Sequence, residues 1–179
     1  MTTAASIQRA AALFVAGAII GTLLDRIHVA AGVLWYTHPL LAGQAIWVPL
    51  VFGVGALLLM SGHVIFPPHD RPATPATLVE PALALLLAYL ATAVLADRPL
   101  ILALVLVLAW LVRMLRDPTA DKLAVAIAFA LGGPLFEATL SATGGFFYRS
   151  PDVLGVPVWL PALYLHVSLL TRQIALVWP

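Results

Sequence analysis

The sequence has no cysteine, a single lysine and few charges of either sign. Without cysteine there is no disulfide, no thiolate nucleophile and no Cys-based zinc site. Charged residues make up 9% of the 179 positions, against about 25% in soluble chains. Nine basic and eight acidic side chains cannot cover the surface of a soluble domain of this size. A net charge of +1 supplies no basic field for nucleic acid. What the chain does have is apolar residues, 63% of the total, and a mean hydropathy of +1.05. Lipid is the expected solvent.

A membrane helix needs about 20 mostly apolar residues to cross about 30 Å of hydrocarbon. Six segments meet or approach this: Ile7–His28, Gln44–Gly62, Leu78–Ala96, Pro99–Arg113, Pro118–Thr143 and Val158–Val177. The fourth is short and spans if Arg113 and Arg116 snorkel to the phosphates. Asp97-Arg98-Pro99 breaks the third segment from the fourth and predicts a tight antiparallel hairpin. Thr77-Leu78-Val79-Glu80 reads as a capping box, and Asp117-Pro118 as an N-cap before a first-turn proline. Pro67-Pro68 and Ser150-Pro151-Asp152 mark ordered turns. Arg9, Arg71, Arg113, Arg116, Lys122 and Arg172 fall on one side, and Arg26, Arg98 and Arg149 on the other. The positive-inside rule then places both termini in the cytoplasm. The predicted fold is all-α and polytopic: one six-helix transmembrane domain over residues 1–179, with no internal repeat evident.

The punctuation between these helices resembles the Insig (insulin-induced gene) family. The resemblance rests on Trp47-Val48-Pro49 followed by Gly53, then Phe66-Pro67-Pro68-His69-Asp70-Arg71. It continues with Tyr148-Arg149-Ser150-Pro151-Asp152, then Trp159-Leu160-Pro161, then Arg172-Gln173 with Ala175. Arg9, Leu13-Phe14 and Gly17 add to it in the first helix. It implies six membrane helices with cytosolic termini and no enzymatic activity. It also implies sterol-type lipid binding and retention of membrane-protein partners, which animal relatives perform in the endoplasmic reticulum. After Trp110 the chain departs from the family's acidic run, with Arg113 in place and an aspartate only at Asp117. Eight arginines against one lysine, with abundant alanine, point to a GC-rich genome and a bacterial cytoplasmic membrane.

Glu137 is the acidic residue expected inside the membrane, about 10 Å deep in the fifth helix. An ionised carboxylate there costs at least about 2.5 kcal/mol, so it needs a proton, a partner or a cavity. His166 of the sixth helix lies at a similar depth and is the expected contact. Gly133, Glu137 and Ser141 share one helix face, beside a kink expected at Pro134. With His166 and Thr22 they form the candidate lipid-binding set. Gly17 and Gly21 form a small-residue packing face, and Asp25 above them is expected to pair with Arg26, Arg98 or Arg149. Asp70-Arg71, Asp152 and Trp159 are expected to be structural, and Trp35-Tyr36, Trp47, Trp110, Phe146-Phe147-Tyr148, Trp159 and Trp178 to form interfacial belts. His63, His69 and Asp70 match no tight metal-ligand spacing, and no nucleophile elbow, Walker loop or HExxH is present.

Three functions compete on these residues. The first is a non-enzymatic protein that binds a sterol-like or diacylglycerol-like lipid between helices, regulates a membrane partner and self-associates. It needs bound lipid and no other cofactor. The second is a small proton-coupled transporter using Glu137. The third, an intramembrane enzyme, lacks a readable nucleophile–base constellation.

Overall fold

The computed structural model describes residues 3–65 and 73–177. Pro67-Pro68, His69, Asp70, Arg71 and Trp178, each assigned a role from sequence, lie outside the described residues. The elements in chain order are α1 (Thr3–Ala30), β1 (Leu34–Tyr36), α2 (Val48–Ile65), α3 (Val79–Leu95), α4 (Pro99–Met114), α5 (Ala120–Ala142), β2 (Phe146–Tyr148) and α6 (Leu160–Val177). Among the described residues four helices are long and apolar enough to cross a membrane, and Val48–Ser61 of α2 and Pro99–Met114 of α4 are shorter apolar stretches. The chain is an integral membrane protein of six helices. Large apolar side chains such as Val15, Ile19, Leu23, Leu87, Leu104 and Leu131 point outward on the helices. Facing hydrocarbon, that exposure carries no penalty.

Helix ends depart from the sequence expectation in two places. A 3₁₀ turn, Pro75–Leu78, precedes α3, so Thr77 and Glu80 form no capping box. The Thr77 hydroxyl donates to the Thr74 carbonyl (2.7 Å) and accepts from Gln173 of α6 (2.6 Å). Glu80 is drawn away to Arg113. At α5 the cap is Thr119, whose hydroxyl accepts from the Lys122 amide, while Asp117 pairs with the Lys122 ammonium. Thr119 has the extended backbone of a cap, so the helix starts two residues later than expected and Pro118 lies outside it. The α3–α4 hairpin forms as expected at Ala96-Asp97-Arg98.

Between α1 and α2, and again between α5 and α6, the chain forms a short strand that the sequence reading took for interfacial aromatics. β1 and β2 pair antiparallel, with Leu34 opposite Tyr148, Trp35 opposite Phe147 and Tyr36 opposite Phe146. Tyr36, Phe146 and Tyr148 are buried, whereas Trp35 and Phe147 face out. Cross-strand burial, not membrane anchoring, fixes Tyr36, Phe146 and Tyr148.

The ribbon exposes an internal repeat that corrects the expectation of none. Residues of the second half lie 112 positions after their counterparts, as Tyr148 does after Tyr36. Tyr36, Pro39, Gly43, Trp47 and Pro49 recur as Tyr148, Pro151, Gly155, Trp159 and Pro161. The backbone repeats as well. Ala42 and Leu154 have φ of 51° and 53°, and Gly43 and Gly155 have φ of 83° and 82°. The bridge Leu41–Gln44 recurs as Val153–Val156. The amide of Thr37 donates to Gly145 and that of Arg149 to Val33, an exchange between equivalent positions. Trp35 and Phe147 are themselves equivalent and directly paired, so a local two-fold axis passes through the ribbon centre. The α3–α4 hairpin is inserted between the two helix–strand–helix units. Identity in the repeat is sparse, and its 112-residue period hides it from inspection.

Within each unit the two helices pack closely, and a glycine permits it. A Cβ on Gly21 would collide with the Phe52 ring, and one on Gly133 with the Tyr164 ring; both pairs are equivalent. Gly17 in turn meets Ala56 and the Phe52 carbonyl. The Gly17/Gly21 face therefore packs on α2 within one chain, as small-xxx-small interfaces do. Thr92, Leu102, Trp159, Leu160 and Leu163 are among the most buried side chains, on α3, α4 and α6 and at the α6 entry.

Candidate functional site

Two acids, not one, are buried near the ribbon. Asp25 is 4% exposed, where the sequence reading expected a surface ion pair. Its Oδ2 accepts from the Tyr36 hydroxyl (2.8 Å) and from Gln44 Nε2 (2.7 Å), with no arginine involved. Gln44 also donates to the Thr22 carbonyl (2.9 Å), so the loop after β1 is tied to α1 twice. Arg149 pairs instead with Asp97 (2.5 Å), joining β2 to the α3–α4 turn. The reason is reach: β1 folds back over α1 and presents neutral donors first, in a setting where a second buried charge would need its own solvation.

Glu137 occupies the position equivalent to Asp25. The Tyr148 hydroxyl donates to Oε2, and the Tyr164 hydroxyl donates to Oε1 at 2.7 Å. Each carboxyl thus receives a ribbon tyrosine eleven residues further on, and then one donor particular to its half. Gln44 serves the first half and Tyr164 of α6 the second. Burial, then the adjacent carboxyl, raises the phenol of Tyr36 well above its usual value; the same two causes act on Tyr148. Both ribbon phenols remain protonated donors. Equivalent tryptophans back them: Trp47 lies edge-on to Tyr36 (5.4 Å) and Trp159 to Tyr148 (6.0 Å).

The expected Glu137–His166 contact does not form. Residue 164 faces Glu137, and two residues later the α-helix has turned about 200°. His166 is buried on the α4 side, with Nε2 donating to the Leu106 carbonyl (3.0 Å) and Nδ1 accepting from Arg113 (3.2 Å). That pattern fits the neutral Nε2–H tautomer. Thr22 turns its hydroxyl back onto the Ala18 carbonyl (2.6 Å), away from Glu137. Ser141 donates weakly to the Phe146 carbonyl (3.4 Å) and lies close to Gly155, so it sits against the loop after β2. Gly133, Glu137 and Ser141 are all half-buried on one face of α5. Pro134 is buried inside α5, which continues through it.

Asp152 Oδ2 accepts from the Val158 amide (2.8 Å) and pins the loop after β2. Trp159 is 1% exposed, wedged between Tyr148 and His28. His28 stacks on Tyr89 of α3 at 4.6 Å. Sequence reasoning missed Tyr36, Gln44, Tyr148 and Tyr164. Their signal was present in the equal spacing of the two acid–tyrosine pairs, and in a chain with only four tyrosines. Among the described residues no cluster of three or more His, Asp or Glu could hold a metal ion.

These features define a polytopic helical membrane protein in which two equivalent helix–ribbon–helix units are each closed by a buried acid–tyrosine tie. No protein-family model matches the chain, and no curated protein does. Two solved structures share the fold, both of MvINS, a mycobacterial Insig homologue from Mycobacterium vanbaalenii. One of them is a cross-linked trimer of an arginine-to-cysteine variant. Each has a TM-score of 0.84 and 22% identity, over 96% of this chain and 94% of that chain. The six-helix membrane fold expected from the Insig resemblance is the fold found, and it is that of a bacterial Insig homologue.

Proposed function

We propose that this chain is a non-enzymatic, Insig-like lipid-binding protein of a bacterial cytoplasmic membrane. Its ligand has a large apolar body and a small neutral head carrying a hydroxyl, as a sterol-like lipid or diacylglycerol does. The observation that carries this is the half-buried Glu137 on the Gly133–Ser141 face of a membrane-spanning helix. A carboxylate offers about four acceptor positions, and Tyr148 and Tyr164 fill two of them. A lipid hydroxyl reaching that face finds an acceptor already oriented by two phenols. Self-association into a homo-oligomer and regulation of a membrane-protein partner belong to the same reading. The trimeric state of the MvINS variant supports the first of these.

A proton-coupled carrier using Glu137 is the second reading. The internal repeat favours it, since parallel repeats occur in carriers and place substrate sites between them. Against it, both Glu137 oxygens are tied to tyrosines, and the tie is duplicated at Asp25.

Gentle detergent extraction followed by mass spectrometry of co-purified lipid tests the proposal, with Glu137→Gln beside wild type. One neutral hydroxyl-bearing lipid at near-stoichiometric amount, depleted in the variant, supports it. Bulk phospholipid alone, with a pH-driven flux in liposomes that the variant abolishes, transfers the case to the carrier.

A further inference from the structure

The end of the bundle opposite the ribbon holds an open cavity of about 640 Å³, lined by α3, α4, α5 and α6. By the Lys/Arg distribution this is the cytoplasmic end. Its floor is apolar, from Pro81, Met114, Leu169 and Leu176. Its wall carries Arg113, Arg116, Lys122 and Arg172, four of the nine basic residues in the chain. Among the described residues two carboxylates, Glu80 and Asp117, line it with them.

Arg113 and Arg172 are held in place by buried contacts, whereas the lining acids are not. Arg172 is 3% exposed and pairs with Asp121 of α5. The Arg113 side chain is 11% exposed and is oriented from behind by His166, which the Leu106 carbonyl holds in turn. Its front nitrogens grip both Glu80 oxygens, at 2.7 and 3.0 Å. Yet the Glu80 and Asp117 side chains are 57% and 67% exposed. Ion pairs with solvated partners contribute about 0–1 kcal/mol and exchange readily. A phosphate presents the same bidentate face to an arginine fork with more charge.

We propose that this cavity is a binding site for an anionic, phosphate-bearing group, distinct from the Glu137 site and independent of it. The phosphate takes the Arg113 fork and the Arg116 and Lys122 side chains, while Glu80 and Asp117 swing into solvent. The apolar floor beneath receives the adjoining carbon chain when the phosphate belongs to a lipid. The fold buries Arg172 and most of the Arg113 side chain at this end of the bundle.

The test uses the purified full chain in a neutral detergent, titrated with short-chain phosphatidylglycerol, short-chain phosphatidylcholine and inorganic phosphate. Wild type is compared with Arg116→Gln/Lys122→Gln, and with Arg98→Gln/Arg149→Gln as a control of equal charge at the other end. Thermal unfolding of each variant checks its fold. Binding of phosphatidylglycerol or phosphate weakens about tenfold or more in the cavity variant, as expected for a lost charge-assisted hydrogen bond, and stays within about twofold in the control. Phosphatidylglycerol binding that excess phosphate does not displace identifies a lipid headgroup. Equal binding of free phosphate identifies a soluble phosphate compound. Binding of neither above phosphatidylcholine, or equal weakening in both variants, overturns the proposal. If the cavity variant fails to fold, Arg116→Gln alone, at an exposed position, decides the same comparison.

Discussion

Removing the ribbon tyrosines one at a time tests whether the two acids are equivalent parts of one scaffold. Tyr36→Phe and Tyr148→Phe each delete one hydroxyl and leave the ring. The buried carboxyl then keeps a single partner, Gln44 for Asp25 and Tyr164 for Glu137. A hydrogen bond between membrane helices contributes about 0.6 kcal/mol on average and up to about 1.7. One to a charged acceptor contributes about 1.5–3 kcal/mol in soluble proteins. Tyr36 is 8% exposed and Tyr148 4%, so water cannot replace either donor. Each variant should therefore lose about 1.5–2 kcal/mol, and the two losses should agree within about 1 kcal/mol. Because both tyrosines dock the same ribbon, the double variant should lose more than the sum, by about 0.5 kcal/mol or more. Equilibrium unfolding in mixed micelles measures this, with tryptophan fluorescence as the probe. Trp47 and Trp159 lie edge-on to the two tyrosines and report on each half. A loss below about 0.5 kcal/mol in either single variant would refute the reasoning, since surface substitutions do no more.

Three further outcomes follow from the packing. Gly133→Ala places a methyl group inside the Tyr164 ring contact and should destabilise by about 1–3 kcal/mol, with Gly21→Ala matching it against Phe52. Thermal unfolding in detergent reads both, and Gly132→Ala, whose added Cβ would meet nothing within 4 Å, serves as the silent control. Gly43→Ala and Gly155→Ala force a side chain into the left-handed region and should each cost about 1–2 kcal/mol in the same assay. Glu80→Gln should change stability by less than about 1 kcal/mol, because the acid is largely solvated although Arg113 grips it with two nitrogens. A larger loss would mean that Glu80 does not exchange freely, and would count against the phosphate site as well.

The sequence was most readable where lipid imposes the rule. Runs of apolar residues reported the helices because every backbone group in hydrocarbon must be satisfied within a helix. Asp97-Arg98-Pro99 reported the hairpin for the same reason. Capping was less readable, since Glu80 and Asp117 had cationic partners from elsewhere in the chain that outcompeted the local backbone. The ribbon was missed because three-residue strands carry no periodicity of their own. They exist only once the two helix–strand–helix units come together and β1 meets β2.

The scarcity of charge decided the solvent, the number of spans and the side on which most Lys and Arg lie. It also singled out Glu137 as an acid in need of a partner. Which partner it found was a tertiary matter. Tyr148 reaches it from the paired ribbon and Tyr164 from α6, packed on α5 at Gly133. Asp25 looked like a surface acid until β1 folded over it. The two-fold relation of the halves was likewise written in conformation, in equal φ angles and exchanged hydrogen bonds, more than in identities. Composition can fix what the chain is dissolved in, because solvation sums over residues. A buried polar contact depends on where two distant groups end up, and only the packed bundle sets that.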